Sequence, residues 1–409
     1  MGELVTLRRL GALLAVVGCL AAPAAASASA PVSDWVETGQ VTFGDIDAIA
    51  RTQGVASDGQ SLFFSGNIGL LRTSIDDPAE ILTNEFMTAI PSDLSDSGHN
   101  HIGDIDVADG ILYAPIEDGP GYAAPWIVLY DAETLQPTGD RYLLPVSVLR
   151  DGVPWIAVDK PRGVAYTMEW GDTGKLFVFR LSDFELIRTV TLSEAVPRIQ
   201  GAKVFRGNLY GSRDNGAQKS IVAIDPETGQ VTSLFDRDLG DDYEAEGIAF
   251  IRRKTGTVMV GTGIKQGSGG YIEMRSYRIG GDVTAPVLSR VKLAPKRIRP
   301  GRALKLSLTA SERVTVAARW SKCVGPRRRP CGRTKALGAN RTFSLEAGSN
   351  RVSLAPSYAR SGKKPVRLRP GRWRLSITPT DLADIEGTAA KADLTVVKPR
   401  RPATRRSRS

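Results

Sequence analysis

A pattern that returns about every 50 residues through the first two-thirds of the chain constrains the fold more than any other feature. Each copy opens on a short segment: Gln53-Gly54-Val55, His101-Ile102-Gly103, Trp155-Ile156-Ala157, Gln200-Gly201-Ala202 and Glu246-Gly247-Ile248. A tight turn follows at Asp58-Gly59, Asp109-Gly110, Arg162-Gly163, Arg206-Gly207 and Thr255-Gly256, then an apolar strand such as Leu112-Tyr113 or Leu209-Tyr210. Three copies continue into a hairpin, IVLYDAETLQP from Ile127, LFVFRLSDFELIRTV from Leu176 and IVAIDPETGQV from Ile221. An Asp-x-Glu-Thr-Gly type of turn between alternating apolar runs is hairpin chemistry. Four short strands per copy at this period predict a β-propeller: a blade buries its faces only against its neighbours, so the copies must close into a ring. Five copies are clear, which gives five blades, with a degenerate sixth as the alternative. The strand-like segment Trp35–Phe43, ahead of the first copy, is placed to supply the outer strand of the last blade and latch the ring.

The Leu-Tyr strands and D-x-E-T-G hairpins resemble those of the broad superfamily of YVTN, NHL and quinoprotein-like propellers, over roughly residues 35–280. That resemblance implies architecture and no particular activity. The quinoprotein repeat carries a Trp shortly after the turn Gly, and the stretch Thr228-Gly229-Gln230-Val231-Thr232-Ser233-Leu234 lacks it, which argues against a quinone cofactor.

Charge divides the chain. Residues 283–409 hold 31 Lys and Arg against six Asp and Glu, whereas the rest holds 23 against 38, for a whole-chain balance of +10. The switch falls at Gly280-Gly281-Asp282-Val283-Thr284-Ala285-Pro286, and a Gly-Gly pair shortly before a Pro reads as a linker. Alternating segments follow at Leu304–Leu308, Val314–Ala318, Arg341–Leu345 and Trp373–Ile377, with turn signals at Pro300-Gly301, Ala347-Gly348 and Pro370-Gly371. They predict a β-sandwich. Its opening, Asp282 to Leu288, and the later PGRWRLSITPTDLAD resemble Ig-like modules appended to bacterial secreted proteins. The expected organisation is therefore signal peptide 1–30, propeller 31–280, linker 281–286, Ig-like sandwich 287–398 and a disordered basic tail 399–409.

The first 30 residues read as an export signal: Arg8 and Arg9, an apolar run from Leu10 to Ala22, then a small-residue stretch ending Ala28-Ser29-Ala30. The apolar run is too short to span a bilayer, and no transmembrane helix is expected. Lipoprotein processing at Cys19, after Val16-Val17-Gly18, is the competing reading. Both place the mature chain outside the cytoplasm, secreted or held at the cell envelope. There, Cys323 and Cys331 are free to form a disulfide, which would stabilise by about 2–3 kcal/mol in the chain-entropy model.

In a propeller, the start of each inner strand and the end of the next strand share one face. This rule collects His99, His101, Asp104 and Glu246 with Glu117, Glu169 and Asp214 at the channel mouth. His101, Asp104 and Glu246 are the candidate metal ligands, with calcium preferred for an oxygen-rich site. Glu246-Gly247-Ile248-Ala249 resembles the inner strand of esterase-like-phytase and gluconolactonase-type propellers, where the acid can be a metal ligand. The plainer reading is that such polar residues bind channel water and cap loop backbones. No G-x-S-x-G elbow, Walker loop or dinucleotide fingerprint is present.

The leading expectation is an exported, monomeric binding or scaffold protein, non-enzymatic, whose Arg-rich module tethers it to an anionic cell-envelope polymer; its ligand could equally be a protein or small molecule. No nucleic-acid reading motif accompanies the basic charge. Against the tether stands Arg-rich composition that merely solvates a face. The alternative function is a calcium-dependent hydrolase of lactone or ester type at the His101 and Glu246 mouth.

Overall fold

The computed structural model describes residues 29–44, 49–119, 121–171, 174–216, 218–267, 271–325, 331–360 and 363–398. All but the last two residues of the expected signal, with Cys19, and the whole of the tail 399–409 lie outside them. Strand makes up 58% of the chain and helix 2%, so the fold is all-β.

The chain begins with β1 (Trp35–Phe43) and then lays down one sheet per repeat. The first sheet is β2 (Gly54–Ser57), β3 (Ser61–Ser65), β4 (Leu70–Ser74) and β5 (Ile81–Glu85). After a short helix α1 (Ser92–Asp96), the second has an inner strand broken into β6 (His101–Ile102) and β7 (Asp106–Ala108), followed by β8 (Ile111–Glu117), β9 (Trp126–Asp131) and β10 (Pro137–Leu143). The third is β11 (Ala157–Asp159), β12 (Val164–Thr167), β13 (Lys175–Arg180) and β14 (Leu186–Thr191); the fourth is β15 (Ile199–Phe205), β16 (Asn208–Asn215), β17 (Gln218–Ile224) and β18 (Val231–Asp236). The fifth takes β19 (Tyr243–Arg253), β20 (Gly256–Lys265) and β21 (Ile272–Ile279), and completes itself with β1.

Turn chemistry explains the regularity. The Asp109-Gly110 and Arg206-Gly207 turns have positive φ at both central residues, the geometry that matches strand twist in a two-residue hairpin. In the outer hairpins the leading Asp accepts from the backbone ahead of it: Asp131 from Glu133 and Thr134, Asp225 from Glu227. The position that closes these turns is left-handed whether it is Gly229, Leu135 or Phe184.

Inner strands touch in cyclic order, β2 with β7, β7 with β11, β11 with β15, β15 with β19 and β19 with β2, which makes the arrangement propeller-like. The seam is antiparallel, Trp35 opposite Ile279 through Phe43 opposite Ile272. Trp35 anchors it among Phe205, Tyr210 and Phe250, with ring centroids 5.8–6.4 Å away. Ahead of it the Val32 amide donates to the Tyr210 hydroxyl at 2.7 Å.

The basic part builds β22 (Leu288–Ala294), β23 (Arg297–Ile298), β24 (Leu304–Ala310), β25 (Val314–Val324), β26 (Arg333–Ala336), β27 (Arg341–Leu345), β28 (Gly348–Leu354), β29 (Ser357–Arg360), β30 (Lys363–Arg367), β31 (Gly371–Thr380) and β32 (Ala390–Val396). One sheet runs β22-β24-β28 and the other β23-β32-β31-β25-β26, with β27 also on β25 and β29-β30 a separate hairpin. Alternation along β24 points Leu304, Leu306 and Leu308 at Val316, Trp320, Trp373 and Leu375 of the second sheet, giving one core. Cys323 and Cys331 stand at disulfide distance, with Cα atoms 5.4 Å apart. The two parts are not strung on the Gly280-Gly281 stretch alone. The loop after β31 lays Ala383 and Ile385 into the apolar cluster of Phe205, Ile248 and Phe250. No helix among the described residues is long and apolar enough to cross a membrane.

Candidate functional site at the channel mouth

Strand pairing brings two of the sequence-predicted residues together. The start of β6 sits opposite the end of β8, so His101 faces Glu117 directly. Of the readings offered by the sequence, capping of backbone amides describes what three of the carboxylates do there. Loops crossing between sheets bury backbone amides that no strand can satisfy, and a buried orphan amide costs about 1–3 kcal/mol. Glu117 accepts from the Val153 amide at 2.6 Å, Glu169 from Arg150 at 2.6 Å and Asp151 at 3.2 Å, and Asp214 from Ala245 at 2.7 Å and Gly216 at 2.9 Å. Each is buried. Glu117 and Glu169 clamp the loop before β11, and Asp214 holds the start of β19 and the turn after its own strand. His99 is set back from the opening, buried with its ring nitrogens against the Leu94 and Ala124 carbonyls at 3.1 and 2.7 Å.

Two hydrogen-bonded arcs line the opening. In one, Gln53 donates to Asn67 at 2.8 Å, His101 meets the Gln53 side-chain oxygen at 3.0 Å, and its other ring nitrogen meets Glu117 at 2.9 Å. This arc borders a cleft of about 390 Å³ that Tyr122 and Asn100 also line. In the other, Trp170 donates to Gln200 at 3.1 Å, while Gln200 and Gln266 each donate to Glu244 at 2.9 Å. A cleft of about 360 Å³ adjoins it, with Arg198, Lys219 and Asp241 at its edge.

The channel between the arcs is closed at its centre. The break between β6 and β7 frees Asp104 to turn inward, where it bridges to Trp155 of the next sheet. Its carboxylate accepts from the Val55 amide at 3.0 Å and from the Lys203 ammonium, and both side chains are almost fully buried. Glycines make the space: a Cβ on Gly247 or Gly54 would stand 2.6 Å from Asp104 Oδ1. Burial pushes the Asp104 carboxyl up to about 7 while Lys203 pulls it down. Asp106, two residues on, accepts from the Val158 amide at 2.8 Å. Beyond this plug, Asp106, Lys203 and Arg252 line a separate cavity of about 270 Å³ at the turn end of the channel.

Lys203 is the functional-looking residue that sequence reasoning missed. The only available signal was a Lys inside Gly201-Ala202-Lys203-Val204-Phe205, where an inner strand buried on both sides calls for apolar residues.

Glu246 is different from the clamps. It sits at a register shift in β19, between Ala245 and Ile248, and its buried side chain forms no hydrogen bond with the described residues. Burial, with Glu244, Asp214 and Asp104 nearby, raises its carboxyl well above the usual range. His101, Asp104 and Glu246 are not gathered into one ligand set: among the described residues, the trio of ligand atoms within 4.8 Å of one another belongs to Asp282, Glu312 and Asp381.

No family model and no curated protein matches the chain. Among solved structures it is similar to the hydrazine synthase of Kuenenia stuttgartiensis, at 12% identity over 64% of this chain and 76% of that one, with a TM-score of 0.32. It is similar to a fungal alcohol oxidase of the AA5 family in complex with copper, at 10% identity over 84% and 85%, TM-score 0.33. A nidogen/laminin complex matches at 15% identity over 61% and 88%, TM-score 0.34.

Proposed function

We propose that this chain is an exported binding protein: a five-bladed propeller as rigid scaffold, joined to an Ig-like sandwich that holds an anionic cell-envelope polymer. The observation that carries it is a cationic row across the outer face of the β22-β24-β28 sheet. Lys292 lies opposite Ser307, and Ser307 opposite Arg351, in adjacent strands. With Arg290, Thr309 and Ser349 they line an open groove of about 590 Å³. Arg290, Lys292 and Arg351 are exposed, and none is in an ion pair among the described residues. Such a row of cations and hydroxyls offers charge and hydrogen bonds to successive phosphates or carboxylates on one strand of polymer. The mouth, with three of its carboxylates spent on backbone amides, offers no comparable set of free groups.

The test is retention of the full-length chain on polyphosphate resin against an uncharged resin. Retention should fall steeply between 0.1 M and 1 M salt, as the Debye length shrinks from about 10 to about 3 Å. Replacing Arg290, Lys292 and Arg351 together by Glu should remove most of it. Retention that ignores both salt and the triple substitution refutes the tether.

The second reading, a calcium-dependent lactone or ester hydrolase, draws on Glu246, whose raised carboxyl suits a proton donor or a ligand for an added cation. Calcium-stimulated turnover of an aryl ester, lost in Glu246→Gln, would favour it over the tether.

A further inference from the structure

Asp282, Glu312 and Asp381 come from three separate stretches: the exit from the last propeller sheet, the turn after β24 and the end of β31. Their ligand oxygens lie within 4.8 Å of one another. Local structure holds each in place. Asp282 follows Gly280 and Gly281, both left-handed, and one of its oxygens accepts from the Thr284 amide at 2.7 Å. Glu312 follows Ser311, whose hydroxyl accepts from the Val287 amide at 2.9 Å and whose own amide donates to the Val287 carbonyl at 3.0 Å, tying that turn to the incoming chain. Asp381 accepts from the Ile385 amide at 2.8 Å through Oδ1.

Asp381 is the least satisfied of the three. It is 6% exposed, and its Oδ2 is buried without any hydrogen-bond partner. A buried carboxylate oxygen with no donor is costly, and two further acids beside it increase the cost. Burial raises the Asp381 carboxyl, and Glu312 and Asp282 push it the same way. The neighbourhood sharpens the point. Lys and Arg outnumber acids 31 to six after residue 282, yet none forms an ion pair with any of the three among the described residues. These three acids gather with each other and, among the described residues, have no positive partner.

We propose that Asp282, Glu312 and Asp381 form a calcium site at the joint between propeller and sandwich. The donor set is all oxygen, with no His or Cys, as a hard cation requires. Calcium–oxygen bonds of about 2.3–2.6 Å put opposite ligands about 5 Å apart, so three oxygens within 4.8 Å fit one coordination sphere. The site controls docking. The loop that starts at Asp381 is the one that grips the propeller: Asp384 accepts from Arg206 and Thr257 at 2.8 and 2.7 Å, the Ala383 carbonyl accepts from the Thr257 amide at 3.0 Å, and the Glu386 amide donates to the Lys254 carbonyl at 2.7 Å. Calcium bound between the linker acid and the start of this loop fixes the angle between the two parts. The inference does not depend on the polymer tether or on a metal at the mouth.

The test uses the full-length chain stripped with chelator and titrated with calcium by calorimetry, in wild type and in Asp381→Asn, Glu312→Gln and Glu246→Gln. One calcium should bind, with a dissociation constant near the 10⁻⁴–10⁻³ M range of extracellular modules, about tenfold or more weaker in Glu312→Gln and Asp381→Asn and unchanged in Glu246→Gln. Bound calcium should also slow proteolysis in the stretch 280–287. Glu312 is partly exposed in a turn, so its variant tests the site even if Asp381→Asn fails to fold. No binding up to about 10 mM calcium, or binding that survives Glu312→Gln, overturns the site. Loss confined to Glu246→Gln overturns it too, and moves the ion to the mouth.

Discussion

Removing Lys203 tests the closed channel most directly. Asp104 titrates at about 7 in the folded chain against an ordinary 3.8, a gap of about three units, or about 4 kcal/mol. A raised carboxyl means the folded state holds the proton more tightly. Its contribution is therefore fully present below pH 3.8 and is lost as pH rises through 7. Lys203 limits that loss by favouring the charged form. In Lys203→Met the Asp104 carboxyl should rise above 7, and at pH 8 the variant should be about 3–5 kcal/mol less stable, the usual cost of stranding one partner of a buried pair. At pH 5 Asp104 is protonated and the deficit should shrink to the cost of repacking, about 1–2 kcal/mol. The double variant Asp104→Asn with Lys203→Met should recover most of the loss at pH 8 and show little pH dependence. Urea unfolding at both pH values, followed by fluorescence of the fully buried Trp155, reads these differences. Equal deficits at pH 5 and pH 8, or a double variant no better than the single, would refute the buried-pair reasoning.

Two further outcomes follow from packing. Gly247→Ala drives a Cβ to 2.6 Å from Asp104 Oδ1 and 2.8 Å from Gly54 Cα, so it should cost about 1–3 kcal/mol in urea unfolding while leaving the sandwich unchanged. Trp35→Ala removes the aromatic anchor of the seam and should cost about 3–5 kcal/mol, with hydrogen exchange rising first in β1 and β21.

The fold was legible where the signal was local and repeated. Turn dipeptides such as Asp109-Gly110 and Arg206-Gly207 mark the first corner of a sheet, and the strand-like segment at Trp35, ahead of the first copy, was placed to complete the last one. At the mouth the sequence offered a set of polar residues and two roles for them, metal ligation and capping of backbones, without a way to choose. Chain direction alone puts Glu117, Glu169 and Asp214 on that face. The partners of Glu117 and Glu169 are amides of the loop at residues 150–153, whose course no periodicity specifies, and Asp214 takes an amide of the next inner strand. Lys203 was hidden because its single charge is compensated by Asp104, 99 residues earlier in the chain. The joint was hidden for the same reason: Asp282, Glu312 and Asp381 share no motif, and only the folded turns bring them together.

The seam has a mechanical meaning. Because β1 and β21 are antiparallel with Trp35 opposite Ile279, the chain enters and leaves the ring at the same end of one strand pair. Tension applied at the N-terminus and at the exit from β21 would open their hydrogen bonds one after another, like a zip, where a shear geometry would load them all together. Were load applied through the C-terminal sheets instead, the 381–387 loop docked on the Arg206 and Thr257 turns would take the pull before it reached Gly280 and Gly281. The loop is then a strain relief for the ring, and the strength of its grip sets the force the whole molecule bears.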